Sequence, residues 1–122
     1  MEILVVMPDH QAAENIRHRI SERGHHVMMA GTIKDAKDIS SRRQFDLSFI
    51  HLCLPDGDGR DLIKHMKACF PKIRIVAMTD SNSRLLELSA RKLGIIYYMV
   101  EPVEAREAWY IVDHLSKKVS NF

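Results

Sequence analysis

The sequence contains little cysteine and no long hydrophobic run. Its 122 residues include two cysteines, Cys53 and Cys69, whose separation fits neither a CxxC pair nor the dense cysteine framework of small secreted domains. No stretch approaches the ~18 consecutive apolar residues that a membrane-spanning helix requires. The start of the chain also lacks the basic segment and the apolar length of a signal peptide. We therefore expect a reduced, cytoplasmic protein with no membrane partner.

A large excess of either charge is absent as well. Lys and Arg together number 18 and Asp and Glu 16, which gives a net charge of +2, and the two signs are interspersed. This balance gives no electrostatic reason to expect direct binding of nucleic acid or of a membrane surface. The seven histidines are scattered apart from His25 and His26, and their spacing does not fit a zinc site. The sequence accordingly predicts neither a metal nor a cofactor.

Length and composition predict one folded domain over residues 1–122. Hydrophobic residues make up 46% of the chain and charged residues 28%, which is typical of globular proteins and excludes disordered or collagen-like chains. Single domains commonly contain about 100–150 residues. The chain is therefore long enough to bury one core.

Short apolar runs alternate with longer amphipathic segments along the chain. The runs predict strands, and the segments predict helices because their apolar residues recur at helical spacing. Since the strands are continuous apolar runs, we expect a parallel, doubly wound sheet that helices cover on both faces. The predicted strands are 3–6, 26–30, 47–52, 73–78 and 95–100. The predicted helices are 11–23, 33–43, 61–70, 82 or 83 to 93, and 104–118.

Several segments, in order, resemble the receiver domain of bacterial response regulators. Residues 3–6 are similar to the first strand of that family, and residues 45–59 are similar without gaps to its third strand and the loop that follows. Residues 75–79 and 93–102 match its fourth and fifth strands. The resemblance covers essentially the whole chain and implies a flavodoxin-like α/β fold, with five helices and five parallel strands in the order 2-1-3-4-5.

The resemblance also assigns functional positions, and most of them carry unexpected residues. In the family, an aspartate that ends the third strand accepts a phosphoryl group, and two acidic residues after the first strand help to hold Mg²⁺. His51 stands at the acceptor position of this chain. Met7 and Pro8 replace the acidic pair, and Asp9 follows one position further on. The phosphorylation site is thus predicted to be degenerate.

Two further family positions contact the phosphoryl oxygens, a hydroxyl residue and a lysine. Thr79 keeps the hydroxyl, but Glu101 places an anion where the family has the lysine. Phosphoryl transfer needs a carboxylate nucleophile and cations that balance the charge of the phosphate. We therefore predict no aspartyl phosphorylation at position 51 and a signalling module that is not an enzyme.

His51 and Glu101 form a charge-reversed counterpart of the family's aspartate and lysine. Because those family positions face each other, we predict that these two side chains meet at the strand ends. A neighbouring carboxylate favours the protonated form of an imidazole. A phosphohistidine, a metal ligand and a pH-responsive group are alternatives for His51, but the simplest interpretation is a partly buried histidine hydrogen-bonded to its neighbours.

Two polar loops, residues 56–59 and 79–83, could each be interpreted as an ion-binding site or as a turn that caps a helix. Residues 56–59, DGDG, resemble part of a calcium loop, but the ligand spacing is irregular and Lys67 stands where the closing glutamate is required. A turn whose carboxylates cap the next helix is the better interpretation. Residues 79–83 form either a residual anion pocket or a helix cap, and Asp80 and Glu101 favour the cap because they repel anions.

The bulky aromatic residues cluster late in the chain. Tyr98 matches the family's aromatic residue whose rotamer reports activation. Tyr97, Tyr98, Trp109 and Tyr110 are candidates for a protein-binding face. In the family this face comprises the fourth helix, fifth strand and fifth helix, which correspond to residues 82–118. The expected partners are another protein, an attached output domain, or a second copy of the chain in a homodimer.

Two other functions compete with this interpretation. A flavodoxin-like domain that binds a small molecule or cofactor would use the same edge of the sheet, but residues 7–10, MPDH, contain no glycine for a phosphate-binding loop. A receiver phosphorylated on a displaced residue would use Asp9 or Asp56. Labelling with a phosphoryl donor distinguishes this last possibility.

Overall fold

The apolar runs form a central sheet in the computed structural model, which describes residues 1–81, 83–101 and 104–120 and only the backbone of 118–120. The strands are β1 (Glu2–Val6), β2 (His26–Ala30), β3 (Leu47–His51), β4 (Cys53–Leu54), β5 (Gly57–Asp58), β6 (Arg74–Thr79) and β7 (Tyr97–Val100). Five of them form one parallel sheet in the order β2-β1-β3-β6-β7. Because β6 and β7 are its fourth and fifth strands along the chain, the predicted order is confirmed.

Helices cover both faces of the sheet, as the apolar strands predict. The helices are α1 (His10–Ser21), α2 (Ile33–Ser40), α3 (Gly59–Cys69), α4 (Arg84–Arg91) and α5 (Ala105–Ser120). Successive strand residues point to opposite faces, so Leu4 and Val6 pack with α2, α3 and α4, whereas Ile3 and Val5 pack with α1 and α5. The doubly wound α/β architecture is therefore confirmed.

Side-chain caps set where the helices begin. Asp9 accepts a hydrogen bond from the backbone N–H of Ala12 at the start of α1, and Thr32 accepts one from the backbone N–H of Asp35 at the start of α2. Asp58 caps α3, which therefore begins two residues before the predicted start at 61. After β6, the possible helix start at Asn82 lies outside the described residues, and so do Pro102 and Val103, which precede the helix predicted from residue 104.

The segment after β3 is more ordered than the predicted loop. Cys53 and Leu54 pair antiparallel with Gly57 and Asp58, so β4 and β5 form a small hairpin. The positive φ of Gly57, 156°, is accessible to glycine and strained for other residues. Strands of two residues are too short to give an alternating pattern, which explains why the sequence predicts only a loop here.

Candidate functional site

The carboxyl ends of the parallel strands bring the predicted positions to one edge of the sheet. Met7 follows β1, His51 ends β3, Thr79 ends β6 and Glu101 follows β7. Met7, His51 and Thr79 are buried, with 3%, 4% and 1% of their surfaces exposed. All four residues therefore lie at the edge of the sheet where doubly wound domains place their ligands.

His51 and Glu101 are in contact, as predicted from their positions. The Nε2 atom of His51 lies 3.1 Å from Oε1 of Glu101. The imidazole is almost fully buried, whereas the carboxylate is about one third exposed, at 33%. The contact joins the ends of β3 and β7, which are not neighbours because β6 lies between them.

The second ring nitrogen of His51 is held by the backbone of Cys53. Nδ1 lies 3.1 Å from the Cys53 nitrogen and 3.0 Å from its carbonyl oxygen. Because a carboxylate only accepts, we assign the proton of the neutral ring to Nε2, and Nδ1 then accepts from the Cys53 N–H. When the ring is doubly protonated, Nδ1 donates to the Cys53 carbonyl instead. Both ring nitrogens therefore have a hydrogen-bond partner in either state.

Gly59, the first residue of α3, packs directly against the backbone of His51 and Leu52. Gly59 donates from its N–H to the carbonyl of Leu52 at 2.9 Å. A Cβ atom at position 59 would overlap the carbonyl oxygen of His51 and would lie 2.7 Å from Cα of Leu52. Only a glycine lets α3 start this close to the end of β3, so Gly59 helps to fix the backbone that carries the imidazole.

The displaced acidic residues both have structural roles. Asp9 is the N-cap of α1, and its Oδ1 accepts from Ala12 at 3.1 Å. Asp56 reaches back to α2, where its two carboxylate oxygens accept from the N–H groups of Ile33 at 2.8 Å and Lys34 at 3.0 Å. These two backbone hydrogen bonds are the main cause that lowers the pKa of Asp56. The prediction that the loop carboxylates cap the next helix thus holds for Asp58, whereas Asp56 caps the preceding helix.

Thr79 ends β6, and Tyr98 is the second residue of the neighbouring strand β7. Oγ1 of Thr79 accepts from the N–H of Ser81 at 3.0 Å, and Ser83 caps α4 by accepting from Leu86. The polar loop thus supplies local turn and cap contacts, as the sequence favours.

The ring of Tyr98 points inward and packs against the core under α4. Its hydroxyl is buried and makes no hydrogen bond of normal geometry to a described residue, although Thr79 is near enough to interact weakly with it. Burial is the main cause that raises the pKa of Tyr98, and the negative charge of Glu87 adds to it. Cζ of Arg91 lies 5.9 Å from the ring centroid. Tyr98, the predicted switch residue, therefore has its side chain packed between β7 and α4.

The four aromatic residues of the predicted binding face divide into two groups. Tyr97 and Tyr110 are exposed, whereas Tyr98 and Trp109 are only partly exposed. The sequence interpretation missed four other residues of the same surface, because it considered only aromatic residues there and helical spacing alone does not separate the partly buried Leu86 of α4 from the exposed Leu85 and Leu88. With these additions, the exposed large hydrophobic residues of the described chain are Leu85, Leu88, Ile96, Tyr97, Val100 and Tyr110. We call this set the apolar face; it lies on α4, on α5, and on β7 with the residue before it.

Other site types find little support in the described part of the chain. No group of three or more His, Cys, Asp or Glu side chains there is arranged to hold a metal ion. Within those residues, no helix has the length and apolar character needed to cross a membrane. An open depression of about 720 Å³ lies at the opposite, amino-terminal edge of the sheet, between Phe45, Phe70 and Ile73. That depression is remote from the strand ends where a flavodoxin-like ligand would bind.

Comparisons with known proteins agree with the family resemblance and the fold. The model of the response regulator receiver domain family matches residues 3–113. The alginate biosynthesis transcriptional regulatory protein AlgB of Pseudomonas aeruginosa is 27% identical over 100 residues, which are 82% of this chain and 22% of that protein. The photosynthetic apparatus regulatory protein RegA of Rhodovulum sulfidophilum is 27% identical over 105 residues, 86% of this chain and 57% of the relative. The chain thus matches less than two thirds of the length of these relatives.

Solved structures show the same architecture. A two-component response regulator from Clostridium difficile superposes with a TM-score of 0.90 at 24% identity, and the match covers 98% of each chain. At this identity the likeness establishes the fold alone.

Proposed function

The chain belongs to the response regulator receiver domain family, and from this premise we propose that it is a signalling module that takes up no phosphoryl group at the usual position and acts by binding protein. The observation that carries the proposal is the contact between His51 and Glu101. A basic group stands where the family has its nucleophilic carboxylate, and an anion stands where the family has its lysine.

The electrostatics of the strand ends oppose phosphoryl transfer. A phosphoryl group bound beside Glu101 would face a carboxylate that no described lysine or arginine neutralises by an ion pair, and two negative charges in contact repel each other. Met7 and Pro8 offer no charged oxygen for Mg²⁺. The engagement of Asp9 and Asp56 in helix caps supports the same conclusion, because a modified carboxylate would lose those hydrogen bonds.

Labelling with a small-molecule phosphoryl donor tests the first half of the proposal. We expect that acetyl phosphate with Mg²⁺ adds no phosphoryl group to the intact protein, as measured by mass spectrometry at neutral pH. A receiver domain that retains the acceptor aspartate, treated in parallel, serves as the positive control. Stable modification mapped to His51, Asp9 or Asp56 would contradict the proposal.

The apolar face supports the second half of the proposal. Leu85 and Leu88 on α4 are 80% and 45% exposed, and Tyr110 on α5 is 52% exposed. Each exposed leucine loses up to about 2 kcal/mol of burial energy relative to a buried one, and contiguous exposed apolar groups mark protein-binding surfaces. The relatives AlgB and RegA are regulatory proteins longer than the matched segment, which makes an attached output domain a further candidate partner.

Self-association is the first binding reaction to measure, since identical domains commonly associate about a twofold axis. We expect a concentration-dependent dimer in sedimentation velocity, and we expect Leu85→Asp/Leu88→Asp to weaken it at least about tenfold because two apolar contacts are replaced by charge. Gln11→Asp/Asn15→Asp on α1 is the matched control, since it adds the same charge at exposed positions. A wild-type chain that remains monomeric at all accessible concentrations would exclude the homodimer and leave a different protein as the partner.

A further inference from the structure

Two arginine side chains lie over the ring of the chain's single tryptophan. Cζ of Arg23 is 4.7 Å from the ring centroid of Trp109, and Cζ of Arg19 is 5.7 Å from it. Both distances lie within the ~6 Å range of cation–π interactions. Arg19 belongs to α1 and Arg23 to the turn after it, whereas Trp109 belongs to α5. The three side chains therefore form one cluster, the arginine–tryptophan cluster, across two helices.

The positive charge of this cluster is not neutralised by a carboxylate. Neither Arg19 nor Arg23 has an ion-pair partner within the described residues, and both are exposed. Three other arginines each pair with a nearby carboxylate: Arg17 with Glu14, Arg60 with Asp58, and Arg91 with Glu87. Two guanidinium groups close together and without a counter-charge favour the approach of an anionic group.

The geometry of the cluster suits a carboxylate on a protein. A guanidinium group offers a planar fork of donors that matches a carboxylate in bidentate fashion. Contact with the indole restricts the rotamers of both arginines, which reduces the entropy that binding must overcome. The cluster continues into Tyr110, whose ring lies 4.9 Å from that of Trp109, and Arg106 lies over Tyr110. Trp, Tyr and Arg are the residue types that dominate binding energy in protein interfaces.

We propose that Arg19, Arg23 and Trp109 form a docking surface for an acidic segment of a partner protein. Aspartate or glutamate side chains of the segment accept hydrogen bonds from the two guanidinium groups, and the apolar part of the segment packs against the indole. The surface lies between α1 and α5 and uses neither Leu85 nor Leu88. It therefore adjoins the apolar face at Tyr110 but does not depend on the two leucines of α4, and it can be tested separately from them.

The fluorescence of Trp109 reports binding directly, because the chain has no other tryptophan. We expect a short polyglutamate peptide to change the emission of the wild-type domain in a saturable way, and a polylysine peptide of the same length to have no effect. The affinity for polyglutamate falls with added salt because exposed charges are screened. An absence of saturable binding, or tighter binding of a single-stranded oligonucleotide of equal charge, would overturn the proposal.

Charge-matched variants locate the binding surface. We expect Arg19→Glu/Arg23→Glu to weaken polyglutamate binding at least about tenfold, and Arg42→Glu/Arg43→Glu, which changes the charge equally at exposed positions after α2, to leave it within about twofold. Arg19→Lys/Arg23→Lys keeps the charge and tests the planar fork, with an intermediate loss expected. Equal losses in the glutamate variants at both locations would show a non-specific charge effect and refute the site.

Two control measurements distinguish a loss of polyglutamate binding at this surface from a loss caused by unfolding or by the apolar face. Far-ultraviolet circular dichroism establishes that each variant is folded; if the Arg19→Glu/Arg23→Glu variant is not, the lysine variant and the salt dependence of the wild type decide. Leu85→Asp/Leu88→Asp is expected to bind polyglutamate as the wild type does. A loss of binding in that variant would place the peptide on the apolar face and contradict the proposed surface.

Discussion

Gly59→Ala is expected to destabilise the domain by about 3 kcal/mol, the upper end of the usual cost of overpacking. The added Cβ would overlap the carbonyl oxygen of His51 and press on Cα of Leu52. Both obstacles are backbone atoms, so no side-chain rotation relieves the overlap. Either α3 moves away from β3, which breaks the hydrogen bond from Gly59 to Leu52, or the end of β3 moves with its imidazole. Urea denaturation of the variant and the wild type measures the difference.

Two other glycines serve as controls that distinguish steric overlap from backbone strain as the cause of this destabilisation. At Gly31 the nearest atom to an added Cβ is the carbonyl oxygen of Met7 at 3.8 Å, so Gly31→Ala is expected to change stability by less than about 0.5 kcal/mol. At Gly24 nothing lies within 4 Å, but φ is +83°, so Gly24→Ala is expected to cost about 1 kcal/mol through backbone strain alone. Gly59→Ala must exceed both, and a cost equal to that of Gly31→Ala would refute the close approach of α3 to β3.

His51→Asp is expected to destabilise the domain by about 3 kcal/mol, because a buried carboxylate would then face Glu101 without a cation. We expect no larger loss of stability, because Glu101 is partly exposed and water screens the repulsion between the two carboxylates. Glu101→Lys is expected to cost much less. With a lysine nearby, the neutral imidazole can move its proton to Nδ1 and donate to the Cys53 carbonyl, so that Nε2 accepts from the ammonium group.

The double variant His51→Asp/Glu101→Lys restores a pair of opposite charges in the arrangement that the family uses. We expect it to recover about 1–2 kcal/mol relative to the sum of the single variants, measured as the coupling energy of a double-mutant cycle in urea. Glu101→Gln serves as the uncharged control, and added salt should reduce the coupling only in part. Effects that add to within about 0.5 kcal/mol would show that the two side chains do not interact.

The sequence predicts the sheet and helices well because each depends on a local pattern. Val5 and Val6 lie within one apolar run, and the sheet buries both, on opposite faces. The start of α3 is predicted two residues late, because Gly59 is assigned to the turn and only the folded chain shows that Asp58 accepts from the N–H of Arg60 in the first turn of the helix. The hairpin after β3 is missed because its strands are too short to carry a pattern.

The contacts of the site can be predicted from the sequence where the family resemblance assigns both residues. Other contacts between residues distant in sequence cannot be predicted in this way. The meeting of His51 with Glu101 follows from two family positions that face each other. The bonds from Asp56 to α2 span 22 and 23 residues and leave no local signal. Trp109 and Tyr110 are adjacent, and a helix turns by about 100° between neighbours, so composition alone does not show that only Tyr110 is exposed. The arginine–tryptophan cluster likewise requires the packing of α1 on α5.

The reach of Asp56 to the start of α2 has a consequence for the order in which the chain folds. α2 has eight residues, and helices of this length are not stable in isolation. Two of its first N–H groups acquire a partner only when the polypeptide has been made as far as residue 56, after β3 and the turn of the hairpin. We therefore expect the start of α2 to stay unstable until β3 and the hairpin turn that carries Asp56 have folded, so that α2 and this later segment form one cooperative unit.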